Sequence, residues 1–414
     1  MRRFFLKNSV RYYLLIVLCL GFLFLSNDFG ATDVQKTAIV VAAGIDRQED
    51  TFILTTQVAI PQSSKQGKAS EAVQIVSRGK TVGEAFDEIN AKTGWYPKLV
   101  FCDLILFGES AKTADVFEAL DFFLRDEYLS DDCHVAVCAG TAKDLLNTTA
   151  LVDPSSSTAM KKVLSSHAER VGTVLPNTLR EFAIGYFSNS KSGFLPILTT
   201  EPQQEKIGKN DTTQPPAQND TQQESSMQNP TNNEGANATG SKDSEDKPVF
   251  SARETALFVQ GKWVDTLTSN ETFALASVLS KLRLASYTLQ NGKNACTLSI
   301  RRNTPSIKLQ ENNGAFSLKV DLDCTAGLLD YAKSQPIEKI ADAGDVPKEF
   351  FTLAAKKLSG EIEGVYEKCR AANCDLFGVR ERLIKYAKRD LHTQENTILE
   401  NTRVQVFVHF KNVR

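Results

Sequence analysis

Histidine is scarce in this 414-residue chain, which carries four, at positions 134, 167, 392 and 409. So few imidazoles restrict both acid–base catalysis and metal ligation, for which histidine is the commonest side chain. His134 and His409 fall in strand-like runs beside apolar neighbours and His392 follows a helix end, positions that suit structural or solvated roles. His167 is followed by Ala168, Glu169 and Arg170 instead of opening a metalloprotease helix, and no serine sits in a G-x-S-x-G elbow. Charge of one sign is missing as well. The 48 basic and 50 acidic side chains leave a net −2, which argues against nucleic acid as a partner.

The eight cysteines are too few for a disulfide scaffold and their spacings match no zinc pattern. Cys133 and Cys138, five apart on a strand, face opposite sides and read as small buried hydrophobes. Cys369 and Cys374 lie across a helix end, where either free thiols or a bridge is geometrically conceivable. The carboxylate pairs Asp131–Asp132 and Asp321/Asp323 lack the surrounding oxygen ligands of a cation loop and read as solvent-facing acids. Gly235 to Ser241 starts like a phosphate loop but has Ser241 where lysine is required. No catalytic residue, cofactor or metal site is therefore expected.

What is present divides the chain. Arg2, Arg3, Lys7 and Arg11 precede an uninterrupted apolar run from Tyr12 to Leu25, the pattern of an export signal with its positive charge held on the cytoplasmic side. Its fourteen residues fall short of the roughly 20 that span hydrocarbon. No small-x-small cleavage site follows, so a signal peptide and an uncleaved anchor both remain open. Residues 201–248 hold nine Asp/Glu, four Lys and five Pro with no aromatic residue, too little apolar surface to offset the entropy of ordering. The expected organisation is an export signal or anchor over 1–32, an α/β domain over 33–200, a disordered polar linker over 201–248 and a second α/β region over 249–414.

Hydrophobic periodicity places the elements. Strands are expected at Thr37–Asp46, Phe52–Ile60, Val73–Gly79, Leu99–Phe107 and His134–Cys138. Helices are expected at Val82–Asn90 behind a Thr81 cap, at Thr113–Arg125 and at Thr141–Leu151, with further helical patterns at Ser156–Arg170 and Pro176–Phe187. Beyond the linker come strands at Glu254–Val264 and Ala295–Arg301, a Ser269-capped helix reaching about Leu284, and a strand at Phe316–Cys324. A long helix follows, with Phe351, Ala354, Leu358, Ile362, Val365 and Cys369 on one stripe. A break at Asn373, a helix to about Leu391 and a strand at Arg403–Phe410 complete the chain. The fold class is α/β (mixed α+β), with two to three mixed-sheet domains behind the N-terminal membrane-targeting segment.

Several of these segments, in order, resemble the Ger(x)C family, the C subunits of spore germinant receptors. The strand Ala38 to Ala43 ending in Gly44-Ile45-Asp46 resembles the family's opening strand, and Ser77-Arg78-Gly79-Lys80-Thr81 its next helix entry. Phe101 through Gly108-Glu109 is similar to an apolar strand ending in Gly-Glu, with Asp103 where the family often carries His. Leu120 to Asp126 and Ala142 to Leu146 resemble two further blocks, and Asp375-Leu376-Phe377-Gly378 the C-terminal signature. The usual lipoprotein signal is absent, because Asp28 stands where the lipidated Cys belongs and cannot carry a thioether-linked lipid. The resemblance implies a non-catalytic, extracytoplasmic subunit that works with membrane-embedded A and B subunits at the outer face of the spore inner membrane. It implies structural roles for Gly44, Asp46, Gly79, Gly108, Glu109, Asp375, Phe377 and Gly378, and no direct small-molecule binding by this subunit. Two other readings stay open on the residues: an extracytoplasmic solute-binding or sensor protein, and a secreted hydrolase.

Overall fold

The apolar run that opens at Thr37 becomes an interior strand of a nine-stranded sheet in the computed structural model, which describes residues 11–21, 37–59, 72–150, 153, 155–165, 170–201, 248–312, 315–332, 346–387 and 397–413. Its neighbours explain why alternation is weak along it. Strand β1 (Thr37–Gln48) runs parallel to β5 (Leu104–Phe107), and beyond it β6 (His134–Cys138) and β7 (Ser192–Glu201) continue the parallel set. Strands β2 (Thr51–Ala59) and β3 (Ala72–Gly79) are antiparallel on one flank, β8 (Val249–Val259) and β9 (Lys262–Leu267) on the other, and the short β4 (Tyr96–Lys98) pairs with the start of β1.

Helices cover both faces, as parallel strands require. Helices α2 (Val82–Thr93), α3 (Phe117–Arg125) and α6 (Leu179–Phe187) supply the core of one face. Helices α4 (Ala142–Asn147) and α5 (Ser156–Val163) close the other. Cys133 lies in the first core and Cys138 in the second, on opposite sides of β6. Residues 11–21 form helix α1, and among the described residues no helix is long and apolar enough to cross a membrane.

The second sheet has the order β10 (Ala285–Asn291), β11 (Asn294–Asn312), β12 (Ala315–Ala332), β13 (Thr402–Asn412). It is one-sided: Arg302, Thr304, Ser306 and Lys308 on β11 face solvent, while Leu318, Val320 and Leu322 on β12 face a core built on α7 (Ser269–Val278) and α8 (Lys348–Ala371). The stripe on α8 is Phe350, Ala354, Leu358, Ile362, Val365, Tyr366 and Cys369. Phe350 replaces the expected Phe351 at its head because it lies four residues before Ala354, whereas half-buried Phe351 stacks on Phe410. α7 starts behind Thr268 instead of Ser269, through a capping box closed by Glu271. Burial favours the neutral form of Glu271, but hydrogen bonds from Lys368 and Thr268 outweigh it and hold the carboxyl below its usual range.

Sheet pairing carries the chain beyond residue 249 back to the first sheet. β8 and β9 complete the first sheet, and Phe194 and Leu257 from that sheet pack in the core of the second. β7 carries Gly193 and Pro196, which mask a strand in sequence, yet Pro196 pairs only on the β8 side and the Phe182 ring takes the space a side chain at Gly193 would need. The expected strand at Leu99–Phe107 is shorter, because a turn closed by Cys102 N–H to the Leu99 carbonyl (2.8 Å) occupies its first half. α3 begins at Phe117, where the Asp115 carboxylate accepts its N–H (2.8 Å), after a 3₁₀ turn over Glu109–Lys112. α7 ends at Val278, not near Leu284. The linker residues 202–247, Asp28, the end of the helix expected to reach Leu391, and His167 and His392 lie outside the described residues.

Candidate functional site

The motif residues gather into two polar nodes. At the first, β1 and β5 end side by side, with Gly108 N–H donating to the Ile45 carbonyl (2.9 Å). Asp46, 8% exposed, projects from the end of β1 and accepts from the N–H groups of Ala142 (2.9 Å) and Lys143 (3.1 Å). These are orphan donors at the start of α4, so the carboxylate serves that helix beside Thr141, which accepts from Asp144 N–H. Burial is the largest influence on Asp46 and raises its pKa against the pull of those two bonds. Gly44 lets α4 approach: a Cβ there would lie 2.7 Å from Leu146 Cδ1 and 3.1 Å from Ala142 Cβ. A Cβ at Gly108 would overlap the Asp46 carboxylate. Glu109 donates its N–H to the Gly140 carbonyl (2.7 Å) and pairs with Lys112 (2.6 Å). Ends of parallel strands are where α/β proteins commonly bind ligands. Here that edge is filled by the chain's own carboxylate and helix.

Gly79 stands apart from this node, at the entry to α2, where a Cβ would come 2.5 Å from Ala85 N and 2.7 Å from the Thr81 carbonyl oxygen. Thr81 accepts from Glu84 N–H (3.1 Å) and Glu84 accepts from Lys80 N–H (2.6 Å).

The second node joins the two sheets. Asp375, 3% exposed, accepts from Val379 N–H and Arg380 N–H, both at 2.8 Å, and so caps α9 (Val379–Ala387). Its own N–H donates to Ser192 Oγ (2.9 Å), and Ser190 Oγ donates to its carboxylate (3.3 Å). Buried Arg380 reaches back to the Ser190 carbonyl (3.1 Å), while Asn189 N–H donates to Glu381 (3.0 Å). All of Asn189, Ser190 and Ser192 stand at the entry to β7. Phe377 packs edge-on against Tyr366, ring centroids 5.2 Å apart, and Gly378 turns the chain at φ +67°, a value that favours glycine. Ser190, Ser192 and Arg380 were not singled out in the sequence, since nothing in a serine pair before a strand announces a partner 185 residues away.

Other titratable groups are dispersed. No cluster of three or more His, Cys, Asp or Glu suited to a metal exists among the described residues. His134 sits on β6 with its pKa lowered, burial being the largest cause. The two buried thiols Cys369 and Cys374 are free, and their mutual hydrogen bond, followed by burial, pushes the Cys369 thiol up.

The motif carboxylates Asp46 and Asp375 thus both serve helix starts in a mixed α+β protein of two sheets. Among known proteins, the model for the spore germination protein N-terminal domain matches residues 30–200, and that for the spore germination B3/GerAC-like C-terminal domain matches residues 253–414. The chain belongs to the Ger(x)C family of spore germination proteins. It is 28% identical to spore germination protein B3 of Bacillus subtilis over 146 residues, 34% of this chain and 36% of that one. It is 25% identical to spore germination protein A3 of the same organism over 170 residues, 39% of this chain and 44% of that one. The matched part thus spans less than half the length of either relative. The crystal structure of the GerBC protein shares the fold at TM-score 0.52 and 15% identity, covering 90% of this chain and 97% of that chain.

Proposed function

We propose that the chain is a non-catalytic, extracytoplasmic subunit of a spore germinant receptor, which assembles with membrane A and B subunits and enables nutrient-triggered germination. The observation that carries this reading is the use of the motif carboxylates. Each oxygen of Asp46 and of Asp375 accepts a backbone N–H at the start of α4 or α9, which assigns both side chains to holding helix starts in place. The family match supplies the physiological setting. The N-terminal segment, with Arg2, Arg3, Lys7 and Arg11 before its apolar run, holds the protein at the outer face of the spore inner membrane. Gly44, Gly79, Gly108, Glu109, Phe377 and Gly378 serve the fold that presents the docking surface.

Spores lacking this chain are expected to lose their response to at least one nutrient trigger and to regain it with the wild-type copy. Germination followed by loss of optical density checks this; an unchanged response to every amino acid, sugar and nucleoside tested would overturn the reading.

A further inference from the structure

One end of the first sheet exposes side chains that a soluble core would bury. Trp95, Tyr96, Val100, Phe101 and Tyr128 are 40, 56, 47, 59 and 58% exposed. Topology brings them together. Tyr96 lies in register with Thr37 on β4 and β1, Asp103 N–H returns to the Val41 carbonyl (3.1 Å), and Lys98 Nζ sits 4.7 Å from the centre of the Tyr128 ring. Between β4 and α3 lies a cavity of ≈ 280 Å³, with Phe86, Leu99 and Phe122 in its lining. Asp87 and Asp126 also line it, as does Asn90, whose buried Nδ2 has no acceptor.

The described charges around this face leave a negative excess. Glu88, Asp121 and Asp103 are neutralised by Lys92, Arg125 and Lys161. Asp87, Asp126, Glu127, Asp131 and Asp132 have no ion-pair partner among the described residues, against Lys98 held over Tyr128 and exposed Arg180, whose N–H donates to the Asp131 carbonyl (3.2 Å). An aromatic centre inside a charged rim is the anatomy of a protein interface, in which Trp and Tyr dominate the binding energy and rim charge selects the partner. The same carboxylates would be repelled by an anionic lipid surface.

Position in the chain narrows the partner. The face surrounds Thr37, and the eleven residues 26–36 that separate β1 from the apolar run reach at most about 40 Å when extended. With the apolar run in the bilayer, as proposed above, that reach keeps the face close to the membrane and gives it a high effective concentration towards anything embedded there. We propose that this aromatic face docks an extracytoplasmic segment of an integral membrane protein, one that presents an apolar side chain flanked by Lys or Arg. The inference rests on the receptor reading above and names the surface through which that assembly is made.

The test places a photoreactive benzoylphenylalanine at position 101 in the full-length chain in spores, with the exposed Thr288 on the second sheet as control position. Expected is a light-dependent adduct from position 101 with a Lys- or Arg-bearing peptide of an integral membrane protein, at least tenfold above the yield from position 288. Asp131→Lys combined with Asp132→Lys, both exposed and therefore compatible with folding, is expected to cut that yield severalfold while circular dichroism stays unchanged. An adduct with lipid, an adduct with a second copy of this chain, or equal yields from the two positions would overturn the proposal. Where the chain still purifies with two membrane proteins but position 101 gives no protein adduct, the choice of face fails and the receptor reading stands; where it purifies alone, the receptor reading itself fails.

Discussion

Asp375→Ala is expected to lower the unfolding free energy by about 3 kcal/mol, the largest single effect we anticipate from a carboxylate in this chain. The substitution removes the acceptor for two N–H groups at the start of α9 and for Ser190 Oγ, all in a buried site. Loss of a helix cap alone costs about 1 kcal/mol, and buried donors left without partners add about 1–3 kcal/mol. The change also loosens the junction between sheets, because Arg380 and Glu381 on α9 reach Ser190 and Asn189 at the entry to β7. Denaturant unfolding checks the magnitude, and hydrogen exchange at Val379 and Arg380 checks the location. Asp375→Asn, which keeps one carbonyl acceptor, should lose less, and Asp323→Ala on the exposed side of β12 should stay within about 0.5 kcal/mol of wild type. A loss below that limit for Asp375→Ala would contradict the role assigned to it.

Gly108→Ala is expected to cost about 2–3 kcal/mol, through space and not through backbone conformation. Gly108 has φ −72°, which any residue adopts, but its Cβ would overlap the Asp46 carboxylate. That carboxylate cannot yield freely, since Ala142 and Lys143 hold both its oxygens. Either the cap on α4 breaks or the end of β5 shifts. A double-mutant cycle separates this from a general intolerance: Asp46→Ala alone loses the cap, and adding Gly108→Ala to it should then cost less than 1 kcal/mol, because the overlapping group is gone. Costs that simply add would show that the two positions do not meet.

Legibility in sequence followed the range of the interactions. β6 and the amphipathic α8 were readable because their patterns are local and strongly periodic. Thr81 and Thr141 were readable as helix starts for the same reason, each bonding a residue three positions on. Hairpins were harder: Gln260-Gly261 joins β8 to β9, which merge in sequence into one expected strand over Glu254–Val264, and Gly292 lies between β10 and β11, the first of which was not expected. β7 was missed because Gly193 and Pro196 argue against a strand unless its neighbours are known. The motif residues could be named from order and resemblance, but their work depends on Asp46 meeting Ala142 and Asp375 meeting Ser192, contacts across 96 and 183 positions. Phe101 shows the reverse error. Its apolar neighbours suggest a buried strand, whereas the turn at Leu99–Cys102 puts it in solvent.

The central claim is that this chain acts by assembly and not by chemistry of its own. Purification of the tagged full-length protein from detergent-solubilised spore membranes tests it most directly. The account predicts recovery with two integral membrane proteins in fixed proportion; recovery of the chain by itself under conditions that leave other membrane complexes intact would contradict it.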